Sequence, residues 1–260
     1  MNAYIFYSHA ELESQATEIA QRFNFILQGS YHVDSITEHL PHITIPILNL
    51  TPEGLMLHSP NMKPWCVDFL SAQKNYRRKY GGGFKEALAR ACDVKPHKEL
   101  PLILDLTAGF AKDAFVLACL GCHITLVERH PVIAALVDDA LKRLYQDPIR
   151  SSDFHLNLIF DEAEHYLLNR SSDCISPDII YLDPMHPERS KSAHVKKDMQ
   201  ILQAWISPEE NPEHLVNLSL QYAKKRVVLK WPRKAPSLKQ KPHFFYEEKT
   251  VRFDVYTPSK

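Results

Sequence analysis

Short apolar runs alternate with amphipathic stretches through the carboxyl-terminal two thirds of the chain. In the longer stretches, apolar residues recur every three or four positions, as they do on one face of a helix. The apolar runs predict buried strands at residues 102–104, 124–127, 156–160, 179–182 and 226–230. Strands that alternate with helices form a parallel sheet covered on both faces. We therefore expect a doubly wound, Rossmann-like α/β domain.

The pattern changes on either side of this domain. Residues 244–246 and 251–256 predict two closing strands. Near the amino terminus, residues 10–26 have helical spacing, while residues 42–50 and 55–57 predict a hairpin with a turn at residues 51–54. The chain is thus predicted to have three parts: a small α+β module at 1–62, a connecting segment at 63–95, and the Rossmann-like domain at 96–260.

Acidic residues end four successive predicted strands of this domain. They are Asp105, Glu128, Asp161 and Asp183. The carboxyl ends of parallel strands share one edge of the sheet, and open α/β sheets bind their ligands there. One such acid is explained by helix capping. Four in succession favour a ligand-binding crevice.

The turn after the first of these acids reads Asp105-Leu-Thr-Ala-Gly109. It has a single turn glycine, Gly109, instead of the G-x-G-x-x-G fingerprint that cradles a pyrophosphate. Glu128 closes the next strand, roughly 20 residues further on, where an acid can bind ribose hydroxyls. The pattern favours S-adenosylmethionine, which carries no phosphate, as the cofactor.

The fourth strand ends in Asp183-Pro184-Met185-His186. Proline stops the strand ladder and stiffens the turn. A carboxylate oxygen of Asp183 and the carbonyl of Pro184 can accept the two protons of an exocyclic amine, and the ring of His186 can stack on the base. This run resembles the Asp-Pro-Pro-Tyr motif of methyltransferases that modify nucleobase amino groups. A strand-end turn with an acidic residue is the alternative explanation.

Basic residues cluster in segments near the predicted site, although the formal net charge is zero. One cluster precedes a run of three glycines at 81–83, and another, at 224–241, contains no acid. Local charge of this kind attracts a phosphate backbone. The residues predicted to contact RNA are Arg77, Arg78, Lys79, Lys191, Lys230 and Arg233. Ordinary solvated loops are the alternative.

The composition restricts the class of protein. The chain has 260 residues, of which 45% are hydrophobic and 24% charged, as in globular proteins. No apolar run approaches the roughly 18 residues of a membrane span, and no signal-peptide pattern is present, so we expect a cytoplasmic protein. The spacing Cys119-x-x-Cys122 has no second pair to complete a zinc site. We favour a structural explanation for it and predict no metal.

Four segments together resemble the ribosomal RNA small subunit methyltransferase J family. They are residues 77–83, 105–118, 127–136 and 181–187. The resemblance covers about residues 68–256 and implies a class I S-adenosylmethionine-dependent methyltransferase fold. It implies methyl transfer to N2 of a guanine in small-subunit ribosomal RNA, either naked or in the 30S particle. It also implies cofactor contacts at Lys112, Asp113, Glu128, Arg129, Glu162, Ala163 and Asp183.

The sequence departs from the family pattern at three places. Ala111 replaces an expected turn glycine, His186 replaces an aromatic ring, and Glu162-Ala163 replaces small polar residues. Two other functions are compatible with parts of the pattern: a Rossmann-type NAD(P) oxidoreductase and a non-catalytic RNA-binding protein. The missing glycines argue against the first, and the presence of Asp183 beside Pro184 argues against the second.

Overall fold

The structure is a computed structural model that describes residues 3–30, 46–58, 63–72, 83–149, 151–171, 175–184 and 211–259. The chain divides into two compact units, one formed by residues 1–75 with 130–152 and the other by residues 76–129 with 153–260. None of the helices in the described ranges is long and apolar enough to cross a bilayer. The three-part division of the sequence remains a prediction.

The described part of the first unit contains a four-stranded sheet and two α-helices. Its elements are β1 (Tyr4–Tyr7), α1 (Glu13–Phe23), β2 (Ile26–Ser30), β3 (Ile47–Thr51), β4 (Gly54–His58) and α4 (Pro131–Gln146). The strand order is β2-β1-β3-β4. The predicted hairpin is confirmed because β3 and β4 pair antiparallel, with Thr51 opposite Gly54. The sequence pattern did not predict β1 or β2, which are parallel to each other.

Gly54 allows the hairpin to lie close to α4. Its φ is +129°, and a Cβ added there would lie 2.5 Å from Nε of Arg143 and 2.9 Å from a carboxylate oxygen of Asp139. Arg143 donates from Nε to Asp139 at 2.9 Å, one helical turn away, and from its guanidinium to the carbonyl of Val67. This helix therefore packs with the amino-terminal module, although it is separated from it in sequence.

The second unit is built on a seven-stranded sheet. Its strands are β5 (Leu102–Asp105), β6 (His123–Glu128), β7 (His155–Phe160), β8 (Ile179–Leu182), β9 (Arg226–Pro232), β10 (Phe244–Glu247) and β11 (Val251–Tyr256). The order is β10-β11-β9-β8-β5-β6-β7. Strands β5 to β9 are mutually parallel, and β10 and β11 run antiparallel. This confirms the predicted Rossmann-like sheet, in which the order reverses between the neighbours β5 and β8.

In the ranges that the structure describes, four helices accompany this sheet: α2 (Ala87–Ala91), α3 (Lys112–Cys119), α5 (Ala163–Asn169) and α6 (Pro212–Ser219). Leu167 of α5 and Val216 of α6 are fully buried in one apolar cluster with Ile180 and Val227 of the sheet. Helix α2 packs against β10 and β11, and α3 packs against β6. The sequence pattern did not predict α5, which is short and buries only Leu167.

A buried arginine on β11 anchors the loop after β9. Arg252 donates to the carbonyls of Arg233 and Ala235, each at 2.9 Å, and its Nε donates to Asp254 at 2.8 Å. Asp254 is fully buried. Burial raises the pKa of the Asp254 carboxyl group, while Arg252 lowers it. The end of β9 therefore keeps its shape only when β11 is in place.

Candidate active site

The turn after β5 is hydrogen-bonded to the end of β8. Asp105 accepts the backbone N–H of Thr107 at 3.1 Å. The hydroxyl of Thr107 accepts the backbone N–H of Asp183 at 2.6 Å. Because β5 and β8 flank the point where the strand order reverses, these bonds place the Asp-Pro run at the edge where such sheets bind ligands.

A second bond connects this turn to β6. The backbone N–H of Gly109 donates to a carboxylate oxygen of Glu128 at 2.7 Å. Gly109 has φ +53°, and a Cβ added there would find only the carbonyl of Thr107, at 4.0 Å. The turn therefore has open space above Gly109, and the carboxylate of Glu128 lies beside it. The binding of a cofactor by Glu128 stays a prediction.

Ala111 occupies a position that favours glycine. It is buried and adopts a left-handed conformation with φ +53°, and its N–H donates to the carbonyl of Ala108 at 2.7 Å. A left-handed conformation costs an L-residue about 1–2 kcal/mol. Ala111 thus adopts the turn geometry expected for a glycine, at the cost of an unfavourable backbone conformation.

Three of the four strand-end carboxylates, Asp105, Glu128 and Asp183, lie close enough to influence one another. Asp105 is 3% exposed and Glu128 is 4% exposed. Burial raises the pKa of Asp105 well above its usual value, and the charges of Asp113, Asp183 and Glu128 raise it further, against a lowering hydrogen bond from Thr107. A cluster of carboxyl groups favours the binding of a cationic ligand.

Lys230, at the end of β9, lies among these acids. Its Nζ donates to Asp113 at 2.7 Å and to Asp183 at 2.9 Å. The same oxygen of Asp113 accepts the hydroxyl of Tyr181, which is buried in β8. Burial lowers the pKa of the Lys230 ammonium group, but the two carboxylates outweigh it and hold the pKa above its usual value. The sequence predicted this lysine for the RNA interface and did not indicate its carboxylate partners.

The predicted contacts after β6 and β7 form a separate group beside Glu128. The N–H of Asp161 donates to the carbonyl of Glu128 at 3.2 Å. Asp161 accepts the N–H of Glu162 at 2.8 Å and contacts Nδ1 of His165 at the same distance. Arg129 donates to Glu162 at 3.1 Å. Ala163 is the first residue of α5, and Lys112 is the exposed first residue of α3.

The structure describes only part of the predicted base-binding and RNA-binding residues. Pro184 is buried next to Asp183. Arg233 follows β9, is 48% exposed and forms an ion pair with Glu247 at 3.1 Å. The predicted residues outside the described ranges are His186, Arg77, Arg78, Lys79 and Lys191.

The basic segment 224–241 does not lie wholly beside the site. Residues 224–226 are at the amino end of β9, where Arg226 pairs with Ile179, whereas Leu182 and Leu229 pair near the site. The expectation that the whole segment flanks the pocket is therefore wrong for its first three residues, because a strand separates them from the site.

The positions of Cys119 and Cys122 agree with a structural role for these two residues. Cys119 is the last residue of α3, and Gly121 has a positive φ of +92°. Cys122 is buried, and burial raises the pKa of its thiol to about 12. Within the described ranges, no three His, Cys, Asp or Glu side chains group as metal ligands do.

Comparison with known proteins identifies the class and then the family. A family model described as SAM-dependent methyltransferase matches residues 39–258. A crystal structure of a SAM-dependent methyltransferase from Neisseria gonorrhoeae has a TM-score of 0.72, at 29% identity over 98% of this chain and 96% of that one. The fold and the site thus define a SAM-dependent methyltransferase.

Two curated relatives refine this assignment. Ribosomal RNA small subunit methyltransferase J from Legionella pneumophila (strain Corby) is 42% identical over 97% of this chain and 95% of its own length. The protein of the same name from Hydrogenovibrio crunogenus is 44% identical over 78% of this chain and 73% of its own length. The chain belongs to the ribosomal RNA small subunit methyltransferase J family. The oxidoreductase and the non-catalytic alternatives are not supported.

Proposed function

We propose that this protein transfers a methyl group from S-adenosylmethionine to the N2 amine of a guanine in small-subunit ribosomal RNA. The position of Asp183 carries the proposal. Asp183 stands at the end of β8, next to the turn after β5. Its backbone N–H donates to the hydroxyl of Thr107, and its carboxylate accepts a hydrogen bond from Lys230. The names of the relatives support ribosomal RNA as the substrate.

The residues present fit S-adenosylmethionine. Its sulfonium and ammonium groups are cationic, and the cluster of Asp105, Asp113, Glu128 and Asp183 is anionic. The turn at Gly109 offers open space and has one glycine instead of a phosphate cradle. Glu128 would hold the ribose, and Asp113 and Asp183 would lie near the charged groups. When bound, the cofactor supplies an electrophilic methyl group.

The residues of the chain would bind and orient the guanine amine, which is the nucleophile of the reaction. The lone pair of the guanine amine conjugates with the ring, so the amine is a weak nucleophile. Asp183 and the carbonyl of Pro184 would accept hydrogen bonds from its two N–H groups and favour a geometry in which the lone pair faces the methyl group. As the nitrogen gains the methyl group it would give up one of these protons, which the carboxylate of Asp183 would take. Most of the rate enhancement would then come from positioning and from preorganised charge. The base must leave its stack to reach this site.

The proposal extends to the RNA surface. Arg233 is half-exposed on the loop after β9, and the sequence places further basic residues at 77–79 and at Lys191. Phosphate contacts at these residues would orient the RNA, since phosphate neutralisation supplies most of the affinity of such interfaces. Naked small-subunit RNA and the assembled 30S particle are both candidate substrates.

Methyl transfer from labelled S-adenosylmethionine tests the proposal. Small-subunit RNA and 30S particles from a strain lacking this protein are the substrates, and nucleoside analysis should find N2-methylguanosine. Asp183→Ala should abolish transfer. Asp183→Asn keeps the shape but presents a donor to the amine protons, so it should be nearly as inactive. Near-parental turnover by both variants, or a methyl group on another atom, would contradict the mechanism.

A further inference from the structure

Lys230 connects three elements of the site. Its ammonium group, on β9, bonds to Asp113 on α3 and to Asp183 after β8. Asp113 is held a second time by the hydroxyl of Tyr181. Hydrogen bonds between charged partners are the stronger kind, so the two carboxylates have fixed positions relative to each other.

The surroundings of Lys230 do not favour a role as a phosphate contact. Its side chain is only 18% exposed and already bonds to two carboxylates. Binding an RNA phosphate would require it to leave both partners, and breaking a partly buried ion pair by removing one partner is costly. Arg233 and the sequence segments discussed above are better placed for that contact.

The charges around Lys230 explain why a cation is needed there. Asp113 and Asp183 accept hydrogen bonds from its ammonium group directly, and the hydroxyl of Tyr181 on β8 donates to Asp113. Its neighbour on β11 is Phe253, which carries no charge. Carboxylates that share a site without a cation repel each other, and one of them takes up a proton.

We propose that Lys230 is a positioning residue that keeps Asp183 ionised and correctly placed to accept the protons of the target amine. This rests on the proposed function of Asp183. A protonated Asp183 would present a donor to the amine, and a displaced one would miss it. Lys230 thus acts through Asp183 and has no direct part in the RNA interface.

Three substitutions separate these roles. Lys230→Met removes the charge and keeps the length, and Lys230→Arg restores a cation. Lys225→Met is the matched control, because Lys225 forms an ion pair with Asp178 at 3.0 Å but is 58% exposed. If Lys230→Met does not fold, as judged by circular dichroism, Lys230→Gln replaces it.

The expected result is a loss of turnover with a specific pH signature. Lys230→Met should lower kcat at least tenfold at neutral pH with little change in KM for RNA, and its activity should recover as pH rises. Lys230→Arg should regain part of kcat, and Lys225→Met should match the parent. Parental kcat in Lys230→Met overturns the proposal. So does a loss confined to RNA affinity with a shallower salt dependence.

Titration with S-adenosylmethionine tests the proposal without methyl transfer. In Lys230→Met, affinity should fall as pH is lowered from 8 to 6, by up to about tenfold per pH unit, because one proton must leave a carboxylate. The parent should show a much weaker dependence. The same pH dependence in both proteins overturns the role of Lys230. An inactive parent would instead refute the proposed function, and the titration would still decide the role of Lys230.

Discussion

The backbone N–H of Asp183 donates to the hydroxyl of Thr107 at 2.6 Å. Thr107 belongs to the turn that carries Gly109, and Asp183 begins the run proposed to hold the target amine. One side chain therefore connects the turn after β5, where we propose that the cofactor binds, to the segment proposed to hold the base.

Replacing Thr107 with valine should lower both stability and turnover. Valine keeps the shape but leaves the N–H of Asp183 without its acceptor, which costs about 1–3 kcal/mol. Thr107→Ser keeps the hydroxyl and is the matched control. Chemical denaturation and methyl-transfer rates measure the two effects. Equal stability and equal turnover in the valine and serine variants would show that this bond does not position Asp183.

Replacing Glu128 with alanine should weaken cofactor binding. The loss of a charged acceptor costs about 1.5–3 kcal/mol, or roughly ten- to hundredfold in affinity. Glu128→Gln keeps an acceptor for the N–H of Gly109 but not the charge, so it should lie between the parent and alanine. Calorimetry with S-adenosylmethionine provides the measurement. Unchanged affinity in the alanine variant would refute the assignment of Glu128 to the cofactor site.

Asp105→Asn should stabilise the ligand-free protein at neutral pH. The pKa of Asp105 is raised in the folded state, so the unfolded chain loses its proton at a lower pH than the folded one. The parent therefore loses stability as pH rises from the ordinary carboxyl value of about 4 towards the raised pKa. The asparagine variant lacks this loss, so the difference should grow with pH. Denaturant unfolding between pH 4 and 8 measures it, and a constant difference would contradict the raised pKa.

Replacing Arg77 and Arg78 with alanine should weaken RNA binding more at low salt than at high salt. Each lost phosphate contact should flatten the slope of log affinity against log salt by about one unit. Cofactor affinity should be unchanged. Filter binding over a salt series measures the slope, with Lys225→Ala as a control distant from the site. Affinity that responds to neither salt nor these changes would argue against an RNA surface here.

The sheet and its acidic edge could be predicted from the sequence because both depend on local patterns. Leu102–Asp105 and His123–Glu128 each combine an apolar run with a terminal acid. Strands that alternate with helices form a parallel sheet, so the acids that end these strands lie along one edge of the sheet. The sequence therefore located Asp105, Glu128, Asp161 and Asp183 at the same end of the sheet without any knowledge of their contacts.

The contacts that organise the site could not be predicted in this way. Lys230 is separated by 117 positions from Asp113 and by 47 from Asp183. A lysine in a basic segment shows no sign of such partners, so it was assigned to the RNA surface. The strand Tyr4–Tyr7 was missed for a related reason. It is short, and its parallel partners are distant in sequence, so local patterning carries little information about it.

The position of β11 between β9 and β10 determines when the site is completed during synthesis. The ribosome makes β9 before Val251–Tyr256, so for that interval the strand that carries Lys230 has an open edge. Open strand edges are templates for pairing with other chains. Arg252, which holds the loop after β9, is also made late. Until its final hairpin joins the sheet, the emerging chain therefore leaves the strand that carries Lys230 open to such pairing.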